Sequence, residues 1–397
     1  MKKIKTLHLF KNYLPTTLNW AYHLLRHTPD VEVHIAARHY LKENFFDPEF
    51  FFIDNYTDGI EQYNYNLSKK KPGDLIQKIA IRAIPFLIGT HQKHLLKYIN
   101  NHSIDLIHAH FAPTAWEYRA LIQKATIPFV VSFYGYDYEN LPFRQPVFTE
   151  RYRWLFHHAN HFLCEGAHGA KILKRIGCPQ EKINVQHLGV ETKNIPFFKR
   201  VKKVGELRLV QIASFTEKKG HIYSVQAFAQ ALKNCPNMHL TLVGNEKEPG
   251  KKEQILKYIK ERQLGQKIDV LPPITYSQLY QYLQDFHVFI HPSCYTAQLD
   301  CEGGAPVVLL DAQATGLPVI STKHCDIPGI IFQSKTALLA EEKDVQELTK
   351  AIETFYWMEN EEFQSYSRGS RTFTEQHFNI ENNATHLKEL YSSFTKS

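Results

Sequence analysis

The sequence predicts an α/β protein of two doubly wound domains, each built on a parallel sheet, facing a cleft. Apolar runs of four to eight residues recur along the chain, separated by stretches of helical periodicity, which is the pattern of βαβ units. That alternation occurs twice, on either side of a basic, apolar-poor stretch at Asn194–Gly205. The length, 397 residues, also exceeds what one core of roughly 100–200 residues holds.

The first half is read as strands near Lys5–Phe10, Val31–Ala36, Asp105–His110, Pro128–Phe133 and His161–Cys164, followed by Asn184–Val190. The second half supplies Leu207–Ala213, His239–Val243, Ile268–Leu271, Val288–His291, Pro318–Ser321 and Ala337–Leu339. Helical patterns fall between these strands at Ile222–Leu232, Glu253–Arg262 and Tyr276–Gln284. A final amphipathic segment, Ile380–Phe394, follows the natural end of the second sheet. The domains are therefore expected at residues 1–198 and 199–375, with a terminal helical segment at 376–397. Ligands are expected at the carboxyl ends of the strands.

Composition bounds the class. Hydrophobic residues make up 43% and charged residues 22%, the balance of a packed globular chain. No apolar run approaches the roughly 18 residues of a membrane span, and Ile79–Gly89 is broken by Arg82. The start, Met-Lys-Lys-Ile-Lys-Thr, lacks the long apolar segment of a secretory signal. Cys164, Cys178, Cys235, Cys294, Cys301 and Cys325 form no CxxC pair and read as thiols in a reducing compartment. A cytoplasmic location is expected.

Charge is uneven. Residues 1–199 hold 25 basic and 17 acidic side chains, whereas 200–397 hold 22 and 23, so the whole excess of +7 lies in the first half. Much of it is Lys69, Lys70, Lys71, Lys78, Arg82, Lys93 and Lys97, interleaved with Leu75, Ile76, Ile79, Ile84 and Phe86. Segment 69–97 fits either peripheral contact with an anionic membrane or solvated surface helices. No recognition-helix pattern accompanies the charge, so nucleic acid is not an expected partner.

The densest chemistry is Asp300-Cys-Glu-Gly-Gly-Ala-Pro-Val-Val-Leu-Leu-Asp311, continuing to Thr322. Gly303 and Gly304, without β-carbons, permit a tight turn and close approach to a ligand. Pro306 suits a first helical turn, and Gly316 with Pro318 ends the helix. A glycine turn opening a helix offers N–H groups and a positive dipole to phosphate. Glu302 precedes the turn, and Asp311 lies nine residues on, about two and a half helical turns away. Such a carboxylate can accept both hydroxyls of a ribose or stand as an ordinary solvated acid.

This segment resembles the hallmark of family 4 glycosyltransferases, which have the two-domain, Rossmann-like GT-B architecture. The resemblance implies that Glu302 lies by the transferred sugar, that Gly303, Gly304 and Ala305 bind the diphosphate, and that Asp311 holds the ribose. The chain departs by one extra residue in the turn and by Asp where Glu is commoner. A second element, Leu207 through Ser214 to Lys218-Lys219-Gly220, is a strand running into a dilysine loop. Its ammonium groups suit a leaving diphosphate or an ordinary solvated turn. By resemblance Lys219 is the family lysine, and Ser214 occupies the position where an Arg is usual.

In the first half, His108 and His110 share one face at the end of a strand. That spacing invites a metal pair, but no further ligand cluster lies nearby in sequence. The resemblance makes His110 a cleft histidine near the donor sugar. Tyr134-Gly135-Tyr136-Asp137 looks like the family's His-Gly-x-Asp turn with Tyr in place of His. Asp137 binds sugar or acceptor hydroxyls, or caps a turn. Thr16 and Thr17 follow the first strand, where the family places a donor- and acceptor-facing loop.

No two Asp residues stand two apart, so there is no Asp-x-Asp metal clamp, and no metal or other cofactor is expected. GxGxxG after the first strand and GxxxxGK[ST] are absent, against NAD and P-loop NTPase chemistry. The resemblance implies a retaining transferase that moves a sugar from a nucleotide diphosphate-sugar to an acceptor hydroxyl. The acceptor is expected to be a glycan or lipid-linked molecule in bacterial surface polysaccharide or glycolipid synthesis, met at the cytoplasmic membrane face. His110, Glu302 and Lys219 would be the catalytic residues, with Ser214, Lys218, Gly303, Gly304, Ala305 and Asp311 on the donor. A sugar-nucleotide epimerase of the same architecture and a non-catalytic nucleotide-sugar-binding subunit are the alternatives.

Overall fold

Two parallel sheets organise the chain, whose computed structural model describes residues 3–13, 19–40, 52–54 and 93–395. The first holds β1 (Ile4–Tyr13), β2 (Val31–Tyr40), β3 (Phe52–Asp54), β4 (Leu106–His110), β5 (Phe129–Ser132), β6 (His161–Cys164) and β7 (Ile183–Val185). Its order is β3-β2-β1-β4-β5-β6-β7. The second holds β8 (Leu207–Ile212), β9 (Met238–Val243), β10 (Ile268–Leu271), β11 (Val288–His291), β12 (Val319–Thr322) and β13 (Ala337–Ala340), ordered β10-β9-β8-β11-β12-β13. Every pairing between these strands is parallel. Strand order reverses between β1 and β4 in one sheet and between β8 and β11 in the other, the points where doubly wound sheets open a crevice for ligands.

β4, β5, β11 and β12 are buried along their whole length, with His108, His110 and His291 among the buried side chains. In β8, Leu209 packs into a core with Leu240, Ile290, Phe228 and Phe355, while its neighbour Val210 points to the opposite core with Phe289, Leu309 and Val319. In the first sheet Leu7, Leu9, Ile107, Ala109, Phe129 and Val131 join Phe133, Leu155 and Phe162 in one core.

The chain forms two compact units: Met1–Cys164 with Ala170–Gln186 and Ala384–Ser397, and Glu165–Gly169 with His187–Asn383. The sequence pattern predicts a boundary at 198/199, whereas the contacts divide at Gln186/His187. Residues 187–206 are fastened to the second unit by Arg200, by Lys202 on the Tyr356 and Met358 carbonyls, and by Arg371 on the Thr192 and Ile195 carbonyls. The buried Arg200 guanidinium donates to the carbonyls of Phe286 (2.9 Å), Thr315 (2.6 Å) and Leu283 (3.0 Å). β7 stops at Val185, and Val190 instead makes a lone parallel bridge with Asn379. β3, three residues long, carries too little pattern to be read from the sequence. The last helix, Ile380–Phe394, runs through the division, since Ala384 onward groups with the first unit. Among the described residues no helix is long and apolar enough to cross a membrane.

Candidate functional site

In the second unit, β8 runs into a single 3₁₀ turn, Glu217–Lys219, closed by Gly220. Gly220 has φ 66°, and a β-carbon there would lie 1.9 Å from the Pro292 carbonyl oxygen, so only glycine closes this turn. The turn delivers both lysines to one place. Lys219 Nζ lies 2.7 Å from Glu302 Oε2. Lys218 Nζ donates to the Cys301 carbonyl at 2.8 Å and sits 3.4 Å from Asp300 Oδ2. Ser214, at the mouth of β8, is half-buried.

Glu302 is held from several sides. Ser293 Oγ, just beyond β11, donates to Oε1 at 3.0 Å, and His291 Nε2 is 3.7 Å from the same oxygen. The Glu302 amide donates to His324 Nε2 at 3.1 Å. Burial alone would raise the Glu302 carboxyl, but Lys219 and His291 outweigh it and hold the group well below the usual carboxylate range. Glu302 is therefore a buried, ionised carboxylate against a lysine at neutral pH.

The glycine turn follows directly. Gly303 has φ 78°. A β-carbon on Gly304 would fall 1.4 Å from Glu165 Oε2, so any side chain there must displace that carboxylate. Pro306 then caps the helix Val307–Ala314, which points its amino end at the turn, and Gly316 ends it with φ 80°. Ala305 also lines a pocket of about 240 Å³ with Glu165, His187, Leu310, Asp326 and Phe378. Asp311 is buried on that helix. Tyr276 and Tyr280, one turn apart on the helix Tyr276–Leu283, each donate a hydroxyl to Asp311 Oδ1 at 3.0 Å. Burial pushes the Asp311 carboxyl up to about 7 against the pull of those two hydroxyls.

The first unit contains a histidine network. His8 on β1 is the register partner of His108 on β4, so both point to one face with His110. His110 Nε2 lies 2.9 Å from His8 Nδ1, and His110 Nδ1 lies 2.7 Å from the Tyr134 hydroxyl. His8 Nε2 meets Thr6 Oγ1 at 3.0 Å. His108 meets the Tyr391 hydroxyl at 2.6 Å and Ser132 Oγ at 2.7 Å. Burial, with mutual repulsion, keeps His8 and His110 well below the usual imidazole range, and burial holds His108 at about 3. All three are neutral. Phe111, directly after His110, takes φ 71°, a left-handed conformation that non-glycine residues avoid.

These geometries revise several expectations. A third histidine does join the His108/His110 pair, although His8 is about a hundred residues away in sequence. Both ring nitrogens of His110 are engaged by neighbours. Asp137 caps its turn: its carboxylate is fully buried and accepts the Ala112 amide at 3.0 Å and the Tyr134 amide at 2.9 Å. Burial raises that carboxyl to about 7, against the backbone hydrogen bonds. Thr16, Thr17 and the greater part of the basic segment, 69–92, lie outside the described residues. Ser293, His291, His324, Tyr276, Tyr280 and Tyr391 carry no motif and emerge only from the packing.

Parallel doubly wound sheets with an acid–glycine turn beside a lysine loop define a glycosyltransferase of the GT-B class. The family described as Glycosyltransferase Family 4 matches residues 17–194, and Glycosyl transferases group 1 matches 193–370. WcaL of Salmonella typhimurium (strain LT2), a glycosyltransferase named for colanic acid biosynthesis, is 30% identical over 281 residues, covering 69% of this chain and 67% of that protein. The chain belongs to the family 4 glycosyltransferases. Solved structures similar to it include a glycosyltransferase from Rickettsia africae, with TM-score 0.74 and 14% identity over 100% of both chains. Anabaena HepE in complex with UDP matches with TM-score 0.73 and 14% identity, over 98% of this chain and 100% of that one.

Proposed function

We propose that the protein is a retaining glycosyltransferase that moves a sugar from a nucleotide diphosphate-sugar to a hydroxyl of a growing bacterial surface polysaccharide or glycolipid. The observation that carries this reading is the pairing of buried Glu302 with half-buried Lys219 at the foot of the Gly303–Gly304 turn. Lys219 and Lys218, with the amides of the turn and the amino end of Val307–Ala314, meet the charge that gathers on the departing diphosphate. Glu302, ionised and fixed by Ser293, orients the sugar and steadies positive charge at its anomeric carbon. The departing phosphate takes the acceptor proton on the same face, which retains the configuration. Asp311 receives the ribose. Neutral His110 is placed at the sugar by family resemblance, through hydrogen bonds and not charge.

UDP is the first donor base to test, since HepE is similar in fold and was solved with UDP. WcaL, named for colanic acid biosynthesis, supports a polysaccharide acceptor. Peripheral contact with an anionic membrane through the basic residues of segment 69–97 would bring the enzyme to a lipid-linked acceptor. The loop lysines leave no step that requires a divalent cation. The test is transfer from radiolabelled UDP-sugars to membrane-extracted acceptors, with and without EDTA. Transfer that survives EDTA and falls in Glu302→Gln and Lys219→Ala supports the reading. Donor binding with wild-type-like turnover in Glu302→Gln rejects the catalytic assignment.

A further inference from the structure

Cys301, His324 and Cys325 bring three metal-ligating atoms within 4.8 Å of one another in the second unit. Cys325 Sγ lies 3.3 Å from His324 Nε2. A tetrahedral zinc ion, with bonds of about 2.3 Å to sulfur and about 2.1 Å to nitrogen, sets its ligand atoms roughly 3.5–3.8 Å apart. The three ligand atoms therefore lie within about 1 Å of the spacing a bound ion sets.

Two further features prepare it. His324 is fully buried, and its Nδ1 lies 2.7 Å from Glu342 Oε1. A carboxylate there holds the proton on Nδ1 and turns the Nε2 lone pair toward the sulfurs, the outer-shell arrangement that orients metal-binding histidines. Cys325 has φ 46°, a left-handed backbone that lets two consecutive residues reach one point. Two thiolates and an imidazole favour zinc over the hard oxygen-seeking ions.

The position gives the site a consequence. Cys301 immediately precedes Glu302, and His324 Nε2 is the acceptor of the Glu302 amide at 3.1 Å. One lone pair cannot serve both an amide and a metal. We propose that Cys301, His324 and Cys325 form an inhibitory zinc-binding site whose occupation takes His324 from the Glu302 backbone and shifts the glycine turn. On binding, both thiols lose their protons to solvent, and no oxidant takes part. The His8, His108 and His110 group is the weaker metal candidate, because its nitrogens are taken by Thr6, Tyr134, Ser132 and Tyr391.

The test uses the reduced, EDTA-stripped full chain titrated with Co²⁺ and then Zn²⁺. One equivalent of cobalt should give a thiolate-to-metal charge-transfer band that zinc abolishes. That band reports sulfur ligation and so excludes the all-histidine group. Cys325→Ser, at a partly exposed position, and Cys301→Ser should each remove the band, whereas Cys235→Ser in the core should keep it. Glu342→Gln should weaken zinc binding about 10–100-fold with the band retained. Bound zinc should slow sugar transfer in the wild type and not in Cys325→Ser. A folded protein without the band, a band that persists in Cys325→Ser, or full transfer by the zinc-loaded wild type would overturn the proposal.

Discussion

Lys219 and Glu302 illustrate how little a residue's identity says without its surroundings. The glutamate side chain is 7% exposed and the lysine 21%, so their attraction is only partly screened. On the proposed reading Lys219→Ala removes a donor to the leaving diphosphate, and it leaves Glu302 buried without its counter-charge. Transfer should fall about 10²–10³-fold, the usual cost of one preorganised electrostatic contact, read as kcat with saturating donor. Asp311 behaves differently. With its carboxyl raised to about 7, it is largely protonated below neutrality and loses acceptor capacity toward a ribose. Uridine, which has no phosphate to titrate, should bind more weakly as pH falls from 8 to 6, and Asp311→Asn should flatten that profile. Stability runs the other way. The folded state holds this proton more tightly than the unfolded chain, so the Asp311 contribution is complete below about pH 4 and is lost as pH rises toward 7. Chemical denaturation across that range should show Asp311→Asn gaining on the wild type.

At the scale of elements, the glycine turn and the strand ends that frame it carry the site. Gly304→Ala would drive a β-carbon into the Glu165 carboxylate, so the turn must open. Donor binding should drop at least tenfold by isothermal calorimetry while the melting temperature changes by only a few degrees. Gly220→Ala meets the Pro292 carbonyl, which is rigid backbone, together with a positive φ. It should cost about 2–3 kcal/mol of stability, visible as a lowered urea midpoint. Legibility in the sequence follows the same physics. β6, β10 and β11 fall where the sequence pattern predicts them; β6 and β11 are buried along nearly their whole length, whereas β10, at the sheet edge, exposes Asp269 and Leu271. Glu302, Lys219 and the glycine turn stand out as candidates because their sequence neighbours form motifs, but the ion pair between Lys219 and Glu302 spans 83 residues and is visible only in the fold. The Tyr276 and Tyr280 contacts to Asp311 are equally hidden, since they span 35 and 31 residues between two helices. His8 meets His110 only through the register of β1 on β4.

For the whole molecule, the division into units was the least legible feature. A linker rich in lysine and poor in apolar residues reads as a seam, yet Arg200 satisfies three buried carbonyls and binds that stretch to the second unit. The terminal helix has the converse effect on the first unit. Tyr391 is fully buried, and its hydroxyl is a partner of His108. Tyr391→Phe strands that imidazole and should cost the first unit about 1–3 kcal/mol. Calorimetry should show a lowered transition for one unit and an unchanged one for the other. Deleting 384–397 should exaggerate the same asymmetry.

That threading constrains how such a gene can be shuffled. The first unit is assembled from three stretches of chain and the second from two. A single crossover at Gln186/His187 would import a foreign 187–383 together with a foreign 384–397, while keeping the native Glu165–Gly169 beside a strange Gly304. Each half would then hold a mismatched piece of the other parent. A working chimera has to graft 165–169 along with 187–383 and restore the native tail, so exchange of the second unit by recombination takes four junctions, at 164/165, 169/170, 186/187 and 383/384.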